Sequence, residues 1–97
     1  MTVEEQAKIY RDAVETYGAE SQQWMIIEEM SELAKEICKY QRGADNHDCI
    51  VEEMADVIIM FSQAAFIYGI DERELRYMIY KKTERLRNRL KEEHEHS

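Results

Sequence analysis

Apolar side chains recur at helical spacing in three successive segments of the chain. They occupy every third or fourth position from Val3 to Tyr17, and Gly18 then supplies a helix stop. The same spacing returns from about Ser21 to Tyr40 and again from Ile50 to Tyr68. These patterns predict three amphipathic helices, because residues three and four apart share one face of a helix.

A fourth helix is predicted after the junction YGIDEREL, residues 68–75. Asp71 can cap this helix while Glu74 completes a capping box. The helix is expected to run to about Lys91, and the last six residues, EEHEHS, to fray as a disordered tail. Only RGADNHD, residues 42–48, forms a convincing loop of any length. We therefore predict a single all-α domain over residues 1–97, a four- to five-helix bundle.

Composition narrows the class of partner. The formal net charge of −8 argues against a nucleic-acid polymer, since binding a phosphate backbone needs clustered Lys and Arg. No apolar run approaches the length of a membrane span, and the N-terminus lacks the pattern of a signal peptide, so we expect a cytoplasmic protein with its two cysteines reduced and partly buried. At 97 residues a single core is only marginally sufficient, which favours a homodimer or homotetramer.

One octet occurs nearly twice. Residues 26–33 read IIEEMSEL and residues 50–57 read IVEEMADV, with acids set among large apolar side chains. On a helix of about 100° per residue, Glu29 and Glu32 fall about 60° and 120° from the leading isoleucine, and Glu53 and Asp56 fall at the same angles on the other helix. The four acids thus line one flank of each apolar stripe.

If the two helices form an antiparallel hairpin, these four carboxylates can converge across the seam. Their mutual repulsion and desolvation would be costly without counter-charge, which divalent cations can supply. Oxygen-only ligands favour hard ions, Mg²⁺ first and Mn²⁺ as a substitute. Iron is disfavoured because neither octet contains the histidine that di-iron bundles use.

The pair EExxE (residues 28–32) and ExxD (residues 53–56) resembles the signature of the MazG-like all-α nucleoside triphosphate pyrophosphohydrolases. The resemblance extends from about Tyr17 to Arg89 and includes YGAESQ before the first motif and KYQRG after it. It implies hydrolysis of a nucleoside triphosphate between the α- and β-phosphates, giving a monophosphate and pyrophosphate. It also implies that Glu29, Glu32, Glu53 and Asp56 are the catalytic Mg²⁺ ligands.

Candidate substrate contacts lie outside the octets. Lys82 falls inside the apolar stripe of the last helix and Arg85 flanks it, so both could contact phosphates, although a lysine there is often a snorkelling side chain. Gln22 matches a glutamine that the family often places before its first motif. Trp24 is either a platform for the base or an aromatic residue of the core or of a dimer interface.

Two other interpretations remain open on the sequence alone. The acids could belong to a non-catalytic helical interaction module, where they bind a basic surface or maintain solubility. Alternatively, the chain could be a metal-binding relative that acts on a phosphoribosyl nucleotide. Replacing one octet acid tests the first interpretation. The replacement should have almost no effect in an interaction module, whereas in an enzyme it should abolish turnover.

Overall fold

The computed structural model describes residues 1–96, and in them the chain is all-α with four helices. These are α1 (Val3–Tyr17), α2 (Ala19–Gln41), α3 (His47–Tyr68) and α4 (Glu72–Glu95). The predicted fold class is confirmed. Within residues 1–96, no helix is both long and apolar enough to cross a membrane.

The helix boundaries follow local chemistry. The Thr2 hydroxyl accepts a hydrogen bond from the Glu5 backbone N–H at 3.0 Å, which caps α1. Gly18 has a φ of 92° and ends α1 while directly preceding α2, a backbone conformation that favours glycine. Gly69, with a φ of 63°, ends α3 in the left-handed conformation. Asp71 caps α4 by accepting from the Arg73 N–H at 2.9 Å, as the sequence predicts.

Two boundaries differ from the expectation. Helix α3 begins at His47, three residues before Ile50, and Asn46 is the residue that precedes its first turn. Helix α4 continues through Glu95, whereas the sequence suggested an end near Lys91 and a frayed tail. Polar residues with good helix propensity prolong a helix even without an apolar face to bury.

Helices α1, α2 and α3 pack against one another, whereas α4 makes at most marginal contact with them. The radius of gyration is 17.1 Å, well above the roughly 13 Å expected for a compact domain of about 100 residues. Helix α4 therefore leaves the three-helix body instead of closing it into a complete bundle.

The core of the single chain is small. Among residues 1–96, only Val57 and Met60 are buried apolar side chains, while Ile58, Phe61 and Ile79 are each more than half exposed. A half-open groove of about 570 Å³ lies between α1, α3 and the start of α4. The cysteines are free, as expected, but exposed rather than partly buried. So much exposed apolar surface is unusual for a protein that functions as a monomer.

Candidate metal centre on the antiparallel hairpin

Helices α2 and α3 form an antiparallel hairpin joined by residues 42–46. Asn46, at the start of α3, contacts Glu36 near the end of α2, and Glu53 and Asp56 lie beside Glu29 further along. Residue numbers thus rise on one helix as they fall on the other. This is the arrangement in which the acids of the two octets can converge.

Three of the four predicted acids meet across the seam. The carboxylates of Glu29, Glu53 and Asp56 each offer an oxygen, and these oxygens all lie within 4.8 Å of one another. All three residues are half-buried. We call these three residues the carboxylate trio.

The fourth acid, Glu32, is exposed and lies outside the trio. It is still close enough for its negative charge to help raise the pKa of Glu29 and of Glu53. The structure therefore brings three predicted ligands together and leaves Glu32 at the edge of the cluster.

The electrostatics of the trio are unfavourable without a counter-charge. Burial, followed by repulsion from Asp56, raises the pKa of Glu29 above its ordinary value, and the same two causes in the same order raise the pKa of Glu53. None of the ion pairs found among residues 1–96 involves a member of the trio. Half-buried acids without a cationic neighbour fit a site for a hard divalent cation, which prefers carboxylate oxygens.

A fifth acid near the site was not singled out by the sequence. The Asn46 amide donates to the Glu36 carboxylate at 2.7 Å and to the Glu36 backbone carbonyl at 2.9 Å, and Lys39 lies 3.5 Å from the same carboxylate. The hydrogen bond from Asn46 is the main reason why the pKa of Glu36 is lowered. Glu36 lies seven residues beyond Glu29 on the same face of α2, a spacing that could have suggested it.

The proposed phosphate contacts do not reach the trio within one chain. Lys82 and Arg85 are exposed on α4, where they line a shallow concavity of about 190 Å³ with Leu86 and Arg89. No ion pair among residues 1–96 connects α4 to an octet acid. The roles of Lys82 and Arg85 therefore remain predictions.

The two residues suggested for base recognition differ sharply in position. Gln22 is only 7% exposed and lies on α2 two helical turns before Glu29, on the same face. Trp24 is 66% exposed and is rotated by about 200° from Gln22, so it lies on nearly the opposite face of α2. Only Gln22 shares the seam with the trio, and a role in binding stays a prediction for both.

Comparison with known proteins identifies the family of this chain. A family model described as the MazG nucleotide pyrophosphohydrolase domain matches residues 18–95. A search of curated proteins and a search of solved structures each found no match. The match covers both octets and most of the chain, and it agrees with the resemblance drawn from EExxE and ExxD. The chain belongs to the MazG nucleotide pyrophosphohydrolase family.

Proposed function

We propose that this chain is a Mg²⁺-dependent nucleotide pyrophosphohydrolase that cleaves a nucleoside triphosphate between the α- and β-phosphates. The observation that carries the proposal is the carboxylate trio, which lacks a counter-charge and lies within the segment matched by the family model. The reaction adds the oxygen of one water at phosphorus and breaks the bridging P–O bond. The products are a nucleoside monophosphate and pyrophosphate.

Glu29, Glu53 and Asp56 are proposed as the cation ligands, with Glu32 at the edge of the cluster completing the set. Mg²⁺ bound there would neutralise charge on the phosphates and lower the pKa of a bound water, and Mn²⁺ is the expected substitute. Burial and, after it, repulsion raise the pKa of Glu29 and of Glu53, and a bound cation would offset both effects. The trio therefore favours a hard divalent cation.

The positive charge that the phosphates require is proposed to come from a second copy of the chain. Within one chain α4 makes at most marginal contact with the body and carries its Lys82 and Arg85 on an exposed surface. Its apolar residues Ile79 and Leu86 are also at least half exposed. A homodimer or homotetramer would bury this apolar surface and could bring the cationic side chains to the acids of a neighbouring subunit.

Gln22 is proposed to contact the base, since it lies on the same seam as the trio and offers both a donor and an acceptor. Trp24 faces away from that seam, so we assign it to a base held between subunits or to the subunit interface. We expect this activity in the cytoplasm, on free nucleotides and not on nucleic-acid polymers or membranes, because the net charge of −8 disfavours binding to a phosphate backbone.

Pyrophosphate release from a panel of ribo- and deoxyribonucleoside triphosphates with Mg²⁺ tests the proposal. The Glu53→Gln variant should lose release, while Glu93→Gln, the same charge change on the exposed end of α4, should keep it. A phosphoribosyl nucleotide in the same panel tests the related substrate class. A wild-type protein that binds Mg²⁺ but cleaves no member would contradict the proposed activity, and one that does neither would favour the interaction module.

A further inference from the structure

Two buried glutamines face the same level of the α2–α3 seam. Gln22 lies seven residues before Glu29, and Gln63 lies seven residues after Asp56. Because the helices are antiparallel, both steps lead in the same direction from the trio, by about 10 Å along the axis. Seven residues are nearly two full turns, so both side chains keep the face that carries the acids. Each residue is only 7% exposed.

The two amides differ in their access to solvent. The side-chain oxygen Oε1 of Gln63 is completely buried and has no hydrogen-bond partner. No atom of Gln22 is both buried in this way and unpaired among the residues that the structure describes. Of the side-chain polar atoms of these two glutamines, only the Gln63 oxygen is both closed to solvent and unpaired.

An unpaired buried acceptor is costly, and an apolar side chain would avoid the cost. Met60, about one turn before Gln63 on α3, is apolar and buried. A polar residue at this position is therefore not explained by packing. Its oxygen requires a donor, and the Gln22 amide, at the same level of the partner helix, carries two N–H groups.

We propose that Gln63 is a positioning residue for nucleotide specificity, an inference that rests on the proposed function. When a nucleotide binds, the Gln63 oxygen accepts a hydrogen bond from Nε2 of Gln22. This bond fixes the orientation of the Gln22 amide and turns the Gln22 carbonyl oxygen outwards, where it accepts from an N–H group of the base. The phosphates remain at the trio, and the nucleoside spans the two helical turns between trio and amides.

The proposal explains why the pair is built from two amides. A lone Gln22 amide could rotate by half a turn and offer either its donor or its acceptor to a base. With the Gln63 oxygen behind it, one orientation is favoured. Sites built to hydrogen-bond a particular group discriminate far more strongly than apolar ones.

The experiment compares base preference in three variants. Gln63→Met keeps the approximate shape but removes the acceptor, Gln63→Glu keeps an acceptor, and Gln41→Met makes the first change at an exposed position of α2. The readouts are kcat and KM across a panel of nucleoside triphosphates, the melting temperature, and the shift in melting temperature caused by nucleoside monophosphates with Mg²⁺. The last readout does not depend on turnover.

We expect Gln63→Met to reduce the preference in kcat/KM between the best and the worst base by about tenfold, the value of one hydrogen bond. The change should appear mainly in KM, with the melting temperature unchanged or raised. Gln63→Glu should restore most of the preference, and Gln41→Met should equal the wild type. A merely structural role would lower the melting temperature of Gln63→Met and leave the preference intact.

The outcomes separate this inference from the proposed function. The role of Gln63 is overturned, but the proposed hydrolase activity is not, if Gln63→Met turns over substrate with an unaltered base preference. The same holds if the wild type turns over substrate without any base preference. Base-dependent stabilisation by monophosphates that is lost in Gln63→Met, without any turnover, supports the role of Gln63 and overturns the hydrolase. If neither turnover nor base-dependent stabilisation occurs, both the role of Gln63 and the proposed hydrolase activity are contradicted.

Discussion

Glu29 on α2 and Asp56 on α3 place carboxylate oxygens within 4.8 Å of each other, and an oxygen of Glu53 lies within the same limit of both. The two residues come from the two copies of the repeated octet, which lie face to face because the helices are antiparallel. At this separation like charges repel, and no ion pair among residues 1–96 offsets the repulsion. The relationship is costly for folding unless a cation offsets it, which supports the proposed metal site.

The first prediction concerns stability with and without Mg²⁺. In a chelator, Glu53→Gln should raise the melting temperature by a few degrees, because it removes one repelling charge from the trio. Millimolar Mg²⁺ should raise the melting temperature of the wild type by several degrees and have little effect on the variant. Differential scanning calorimetry measures both changes, with Glu93→Gln as the charge-matched control. Equal Mg²⁺ effects in all three proteins would argue against the trio as the site.

The second prediction concerns pH. Glu29 and Glu53 have pKa values raised above the ordinary 4.5, so the folded state holds their protons more tightly than the unfolded state. Their contribution to stability is therefore fully present below pH 4.5 and is lost as the pH rises through the raised pKa values. In a chelator, wild-type stability should fall over this window relative to the double variant Glu29→Gln/Glu53→Gln.

With Mg²⁺ the dependence of metal binding on pH should have the opposite sign, because the ligands must be deprotonated. The Mg²⁺-induced rise in melting temperature should therefore grow as the pH increases through the same window. A rise that is constant with pH would contradict a site made of these two carboxylates.

The third prediction concerns the contact between Asn46 and Glu36, which connects the end of the hairpin loop to the last turns of α2. Asn46→Ala removes two hydrogen bonds to Glu36 and should lower the melting temperature by about 5 °C. The lowered pKa of Glu36 means that its contribution is present above the ordinary 4.5 and is lost as the pH falls through the folded value. The loss on acidification should thus be smaller in Asn46→Ala. Gln41→Ala, next to the loop, serves as a control.

Much of this architecture could be predicted from the sequence. The apolar spacing predicted three helices and the capping junction at residues 68–75 predicted the fourth, and Gly18 and Asp71 marked boundaries that the structure confirms. The repeated octets placed Glu29, Glu53 and Asp56 on facing flanks, because acids beside an apolar stripe approach one another when two antiparallel helices bury those stripes against each other.

Other features depend on tertiary contacts that helical phase does not determine. The bond between Asn46 and Glu36 requires the exact path of the loop, and the sealing of the Gln63 oxygen requires the packing of both helices around it. The separation of α4 from the body was also not anticipated. An amphipathic stripe predicts that a helix buries one face, but it does not say whether the covering surface belongs to the same chain.

The fourth prediction tests whether two chains build one site. The double variant Lys82→Ala/Arg85→Ala and the variant Glu53→Gln should each be inactive but retain their helices. If the cations act on the acids of a neighbouring subunit in a dimer, mixing and refolding equal amounts should restore about a quarter of wild-type activity. Random pairing makes half the dimers mixed, and each mixed dimer has one intact site of two.

Light scattering on the wild type accompanies this mixing experiment and should give at least a dimer. No recovered activity, although mixed oligomers form, would show that acids and cations act within one subunit. A stable monomer with full activity would contradict the shared site altogether.

The most direct test of the central claim is the identity of the products when wild-type protein and Mg²⁺ are given a nucleoside triphosphate. Phosphorus NMR distinguishes pyrophosphate with a monophosphate from inorganic phosphate with a diphosphate. We predict pyrophosphate and the monophosphate as products. The Glu53→Gln variant should form them at least about 100-fold more slowly, because replacing residues that only support metal ligands already lowers activity by up to about 100-fold. Formation of diphosphate, or pyrophosphate formed equally fast by Glu53→Gln, would contradict the assignment of the carboxylate trio as the catalytic centre.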